Sequence, residues 1–278
     1  MPDLRPIGVF DSGVGGLTVV RAIMDELPLE PVLYFGDHAR FPYGPRSLAE
    51  IRRFAVEIAR HLVEQDVKVI VVACNAATSA ALDDVAEAVP VPVVGVIEPA
   101  VRAAVRATRN GWVGLIGTLA TVSSGAYQRA FDRIAPQVEV VTQACPLFVE
   151  FVERGDTTSP ALMRAAAEYL GPLQEAGVDT LILGCTHYPL LRGAIHHVLG
   201  PDILLISSAE ETANDVYGVL ASKGLLADGS EGLIELPVHR FESSGDPSRF
   251  SVLGRRFLGP EFHGAVLVPL ESLPQAGS

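Results

Sequence analysis

The sequence predicts an α/β protein made of two related halves with mainly parallel sheets. Short β-branched runs alternate with Ala-rich stretches along the chain, and aromatic residues make up only 6% of it. That is the pattern of buried parallel strands covered by helices. A repeat gives the second observation. IGVFDSG at Ile7 to Gly13 lines up with VGLIGTL at Val113 to Leu119, and VKVIVVACNAAT around Cys74 lines up with VDTLILGCTHYP around Cys185. The offsets of 106 and 111 residues differ by one short insertion, so the halves share related wiring. With 278 residues, 49% of them hydrophobic, the chain can build two modest cores.

In chain order, Ile7 to Phe10 reads as a strand, DSGVGG as a turn and LTVVRAIMDEL as a helix. Val32 to Phe35 is a strand leading into the polar loop GDHARFPYGP. Ser47 and Glu50 have capping-box spacing, and Leu48, Ile51, Ala55, Ile58 and Leu62 recur on one helical face. Lys68 to Ala73 reads as a buried strand, Cys74 and Asn75 as its turn, and Ala76 to Val89 as a helix. PVPVVGVIEP, punctuated by Pro92 and Pro99, suggests a crossing into the second half near residue 98. There WVGLIGT is a strand, ATVSSGAYQRAFDRI is one helix, and VEVVTQACPLFVEFVERG continues the series. A helix from about Pro160 to Ala176 leads to the Cys185 stretch. After Ser208 come a helix, a strand at VHRFESSG and a last helix starting near Asp246 and Pro247. The first half has too few strands alone, so residues 1–98 and 209–278 are assigned to one domain and 99–208 to the other.

Composition excludes several functions. A net charge of −12 leaves no basic face for nucleic acid or an anionic membrane. No apolar stretch approaches the roughly 20 residues of a membrane span, and the start of the chain lacks the pattern of a signal peptide, so the expected location is the cytoplasm. Three cysteines, an odd number, do not describe a disulfide framework. DSGVGGLT has Thr18 where a dinucleotide fingerprint needs its third glycine, and no P-loop lysine. Its glycines suit either a tight turn or close approach of a small anion. Cys74, Cys185, His187 and Asp11 lack zinc-site spacing, so no metal is expected.

Ligands of open α/β sheets bind at the carboxyl ends of strands, where Cys74 and Cys185 both sit. A helix N-terminus following each would favour a thiolate. One strand-end cysteine would read as packing, and Cys145 is read that way. Two at matched ends, beside Asn75, Thr186 and His187, point to chemistry. Inverting a carbon centre takes a proton from one face and delivers one to the other, which needs two acid/base groups flanking one atom.

FDSGVGGLTV, PYG, ACN, PLF with VE, and GCTHYPLL, in this order, resemble the glutamate racemase family over nearly the whole chain. The resemblance implies two α/β domains with the active site in the cleft between them. It implies cofactor-independent interconversion of L- and D-glutamate for peptidoglycan synthesis, and a homodimer. It makes Cys74 the base acting on D-glutamate and Cys185 the base acting on L-glutamate. Asp11, Glu153 and His187 then assist proton transfer, with Glu150 a nearby decoy. Asp11, Ser12, Tyr43, Gly44, Asn75, Ala76, Thr186 and His187 surround the substrate. Ala76 stands where the family has a hydroxyl residue, and His38 where it has threonine. The motifs contain no lysine or arginine, Arg40 reads as a solvated loop charge, and the substrate ammonium would meet Asp11. A racemase of another amino acid such as aspartate, or a non-catalytic amino-acid-binding module, remains open on the residues alone.

Overall fold

The computed structural model describes residues 3–227 and 236–275. In the first half the chain alternates β1 (Ile7–Asp11), α1 (Leu17–Glu26), β2 (Val32–Gly36), α2 (Leu48–Glu64), β3 (Val69–Val72), α3 (Asn75–Ala88) and β4 (Val93–Gly95), and α4 (Ile97–Ala107) leads out of it. The second half contains β5 (Trp112–Gly117), α5 (Leu119–Ser123), α6 (Ala126–Ile134), β6 (Glu139–Ala144), α7 (Pro146–Glu153), α8 (Pro160–Glu175), β7 (Thr180–Gly184), α9 (Arg192–Leu199) and β8 (Leu204–Ser207). Then follow α10 (Ser208–Lys223), β9 (Arg240–Ser243), α11 (Pro247–Leu258) and β10 (Val266–Leu267).

The described residues form two parallel sheets, ordered β10-β9-β2-β1-β3-β4 and β6-β5-β7-β8. Setting aside β9 and β10, the strand orders are the same. Register repeats too: Ile7 faces Val69 across β1 and β3, and Val113 faces Thr180 across β5 and β7. Both sequence offsets are thus read again in strand pairing. The C-terminal segment returns to the first sheet, where β9 pairs with β2, and α10 packs Ala209, Ala213, Val216 and Leu220 into the core that holds Val19, Val20 and Phe250.

Local chemistry explains the elements. The Ser47 hydroxyl accepts the Glu50 N–H while the Glu50 carboxylate accepts the Ser47 N–H, a reciprocal cap stabilising α2 by about 1 kcal/mol. Asp246 caps α11 by accepting the Ser248 N–H, with Pro247 at the first helical position. Lys68, 1% exposed, is held by Glu30 at 2.5 Å and donates to the carbonyls of Asp3 and Leu225, which answers the cost of burying its charge.

One expectation is corrected. ATVSSGAYQRAFDRI is not one helix, because Gly125 sits at φ 66°, a left-handed conformation that ends α5 and redirects the chain into α6. Pro99 stands where the chain passes toward the second sheet. It lies in the first turn of α4, where no backbone N–H is required, and α4 packs Ile97, Ala100, Val101 and Ala104 against the second sheet.

Candidate active site

In both sheets the strand order reverses direction around the central strand, which opens a crevice beyond the carboxyl ends of β1 and β3, and of β5 and β7. Cys74 follows β3 and caps α3, and Cys185 follows β7. Both line one cavity of about 520 Å³. Ser12, Tyr43, Gly44, Asn75, Ala76, Glu153, Thr186 and His187 line it as well.

The surroundings of the two thiols differ. Cys74 Sγ lies 3.8 Å from the Ser12 hydroxyl. Burial, and then the neighbouring Asp11 carboxylate, push this thiol well above its ordinary 9.0, while the N–H groups of Ala77 and Ser12 pull the other way. The α3 N-terminus therefore favours the Cys74 thiolate as expected, but desolvation outweighs it. Cys185 Sγ lies 4.0 Å from His187 Nδ1, and His187 Nε2 lies 2.9 Å from Glu153 Oε1. Burial opposes charge on the His187 imidazole, yet Cys185 and Glu153 together outweigh it and raise its pKa to about 10. The result is a chain of three groups, carboxylate, imidazole and thiol, on one wall.

Asp11 lies behind the cavity wall and is fully buried. Its Oδ1 accepts the Gly13 N–H at 2.9 Å and its Oδ2 accepts from Thr186 Oγ1 at 3.2 Å. Burial raises its pKa, against the pull of His187 and of those donors. Asp11 thereby ties the β1 end of the first half to the Cys185 loop of the second. The glycine turn shares this task. A Cβ on Gly15 would collide with Thr186 Oγ1 and lie 2.5 Å from His187 Nδ1, so the missing side chain makes room for the opposite half, and no anion need be invoked.

Arg40 is not a solvated charge. Its side chain is 12% exposed, meets Asp37 at 2.6 Å and Glu57 at 2.5 Å, and covers the Phe54 ring at 4.1 Å. A buried carboxylate on each side and an aromatic face outcompete water for the guanidinium. Asp37 also accepts from Tyr43 and Ser244, so this cluster clamps the loop carrying Phe41 to Pro45 onto the cavity. The cations on the cavity wall are instead Arg154 and Arg249. Glu150 also lines the cavity, but His187 pairs with Glu153.

The sequence reading missed Phe41, Thr118, Leu119, Arg154 and Arg249. Thr118 was available from the repeat, since it aligns with Ser12. Arg249 comes from α11, whose packing onto this region no local pattern announces. Cys145 stands just before α7 and lies outside the cavity, its Sγ 3.7 Å from the Gln143 carbonyl. His38 stacks on Phe41 with ring centroids 5.8 Å apart, beside the cavity. His196 and His197 are on α9, away from it. Among the described residues no group of three or more His, Cys, Asp or Glu could hold a metal ion, and no helix is long and apolar enough to cross a membrane.

Two pseudo-symmetric parallel-sheet halves, each offering a thiol to one crevice, define an enzyme class that can work on both faces of a single carbon. Residues 17–216 match the Asp/Glu/hydantoin racemase family, and the chain belongs to it. It is 59% identical to the glutamate racemase of Acidothermus cellulolyticus over 256 residues, covering 92% of this chain and 96% of that protein. It is 55% identical to the Corynebacterium glutamicum glutamate racemase, covering 92% of each. Among solved structures, a Bacillus anthracis glutamate racemase isoform superposes with a TM-score of 0.89 at 42% identity, covering 96% of this chain and 98% of that one. The Francisella tularensis glutamate racemase, in complex with D-glutamate, gives 0.89 at 38% identity, covering 97% and 99%.

Proposed function

We propose that the protein interconverts L- and D-glutamate by a two-base reaction. The observation that carries this is the placement of Cys74 and Cys185 at equivalent strand ends of the two halves, on one cavity. Cys185 as thiolate takes the Cα proton of L-glutamate while the Cys74 thiol delivers its own to the opposite face. The S–H bond of Cys74 breaks as a new C–H bond forms, and the enzyme is left with a Cys185 thiol and a Cys74 thiolate, the state that acts on D-glutamate. The electron pair of the broken C–H bond spends its lifetime beside a carboxylate that must be held by donors. The α3 N-terminus, Ser12, Asn75 and Thr186 serve as those donors. Glu153 and His187 assist at Cys185, and Asp11 assists at Cys74.

The relatives' names support glutamate over aspartate. The same reading makes residues 1–98 with 209–278 and residues 99–208 the two domains, places the protein in the cytoplasm as a homodimer, and has it supply D-glutamate for peptidoglycan. A binding module has no use for a thiol on each wall. Cα deuterium exchange in heavy water tests the reading. The intact enzyme racemises both enantiomers with deuterium incorporation. Cys74→Ala and Cys185→Ala both lose racemisation, the first retaining exchange on L-glutamate only and the second on D-glutamate only. The same preference in both variants, or normal racemisation in either, overturns the two-base assignment.

A further inference from the structure

Asn75 is the first residue of α3, next to Cys74 on the cavity wall, and only 3% exposed. Its amide has two ends of opposite polarity. Oδ1 accepts a hydrogen bond of 2.6 Å from the Tyr127 hydroxyl, whereas Nδ2 is buried and without a partner. Tyr127 belongs to the other half. It lies on α6, is 1% exposed, and packs in the core with Ile97, Leu115 and Ile182. We propose that Tyr127 is a positioning residue for the reaction: by occupying Asn75 Oδ1 it turns the amide N–H end into the cavity as a fixed donor for a substrate carboxylate.

A glutamate carboxylate can only accept hydrogen bonds, so an amide turned the other way would face it with a repelling oxygen. The phenol hydroxyl could also accept an N–H, but with the amide reversed its own proton would lose its Asn75 acceptor inside a hydrophobic core, and that cost selects the observed orientation. Burial raises the Tyr127 pKa, which keeps the hydroxyl a donor. An unpaired buried donor is costly to leave unmade and is answered when the ligand arrives. Gly125 contributes indirectly, since the change of direction it permits begins the helix that carries Tyr127. The Tyr127 bond also crosses from one half to the other, so the donor is set in the same arrangement that brings both thiols onto one cavity.

This inference rests on the racemase reading, and the test separates the two. Tyr127→Phe keeps the ring and removes the hydroxyl. KM for both glutamate enantiomers is expected to rise about tenfold, the scale of a hydrogen bond to a charged group, while kcat changes by no more than about threefold. In an Asn75→Ala background the same change is expected to alter KM by less than about twofold, because its effect passes through Asn75. Asn75→Asp, which keeps an acceptor for Tyr127 but puts a second oxygen in the cavity, is expected to raise KM more than Asn75→Ala does. An unchanged KM in Tyr127→Phe overturns the inference. So does an equal rise with and without Asn75, which would mark general loosening, or a milder effect of Asn75→Asp than of Asn75→Ala. If the intact enzyme neither racemises nor binds glutamate, the racemase reading itself falls.

Discussion

Glu153 Oε1 lies 2.9 Å from His187 Nε2, and the same imidazole presents Nδ1 to Cys185 Sγ at 4.0 Å. One ring therefore reads a carboxylate on one side and a thiol on the other. Glu153→Gln keeps the size of the side chain and removes its charge, so the imidazolium loses a partner. Its kcat is expected to fall about 10- to 100-fold, less than the roughly 10²–10⁴-fold of a whole acid/base group, because the imidazole itself is kept. Cys145→Ala, outside the cavity, is expected to keep activity within about twofold of the parent. Steady-state rates on both enantiomers check the pair, and the opposite ranking would place the assisting carboxylate elsewhere.

The pH dependence of stability follows from the same ring. Folded His187 keeps its proton up to about pH 10, whereas a free histidine releases it near 6.5. Its contribution is full below pH 6.5 and is lost as pH rises through about 10. The Cys74 thiol, held above its ordinary 9.0, acts in the same direction above that pH, since the unfolded chain ionises where the folded chain does not. Urea midpoints are expected to decrease steadily from pH 6.5 to about 10, and less steeply in Glu153→Gln. A flat or rising series contradicts this account.

Alkylation should distinguish the three thiols. Cys185 faces His187, Cys74 is held protonated by burial and Asp11, and Cys145 is outside the cavity. Brief treatment with iodoacetamide at neutral pH, followed by peptide mass mapping, is expected to label Cys185 first, Cys74 more slowly and Cys145 last. D-glutamate should protect the first two and leave the third unaffected. Labelling of Cys145 ahead of Cys185 would refute the ordering.

Much of the fold was legible because parallel strands announce themselves as short apolar runs, and the repeat between the Ile7 and Val113 stretches survives as strand register. The paired cysteines were legible because both sit where a strand meets a helix. The features that escaped notice depend on distance in the chain. Arg249 reaches the cavity from α11, and Arg40 is taken out of water by Asp37, three positions before it, and by Glu57, 17 positions after it within α2. Gly125 looked like any tolerated helix glycine, because a positive φ leaves no trace in composition. The role of Gly15 was hidden for a related reason, as the residues that need its empty space lie more than 170 positions later.

Two glycine substitutions separate close approach from mere flexibility. At Gly15 an added Cβ would meet Thr186 Oγ1 and His187 Nδ1, both in the Cys185 loop, at distances real side chains do not adopt. The methyl group must push that loop away from β1, which stretches the Thr186 to Asp11 hydrogen bond and shifts His187 relative to Cys185. A displacement of an ångström at a reacting group can cost about 100-fold, so Gly15→Ala is expected to lose activity on that scale with its circular dichroism spectrum retained. Gly218 offers the contrast. It is exposed in the middle of α10, its φ is not positive, and an added Cβ meets nothing within 4 Å. There alanine only restricts the unfolded chain and favours the helix, so Gly218→Ala is expected to add about 0.5–1 kcal/mol of stability, roughly 2 °C in Tm, with unchanged kcat and KM. Were Gly15→Ala fully active, the tight contact between the glycine turn and the Cys185 loop would have no part in setting the catalytic geometry.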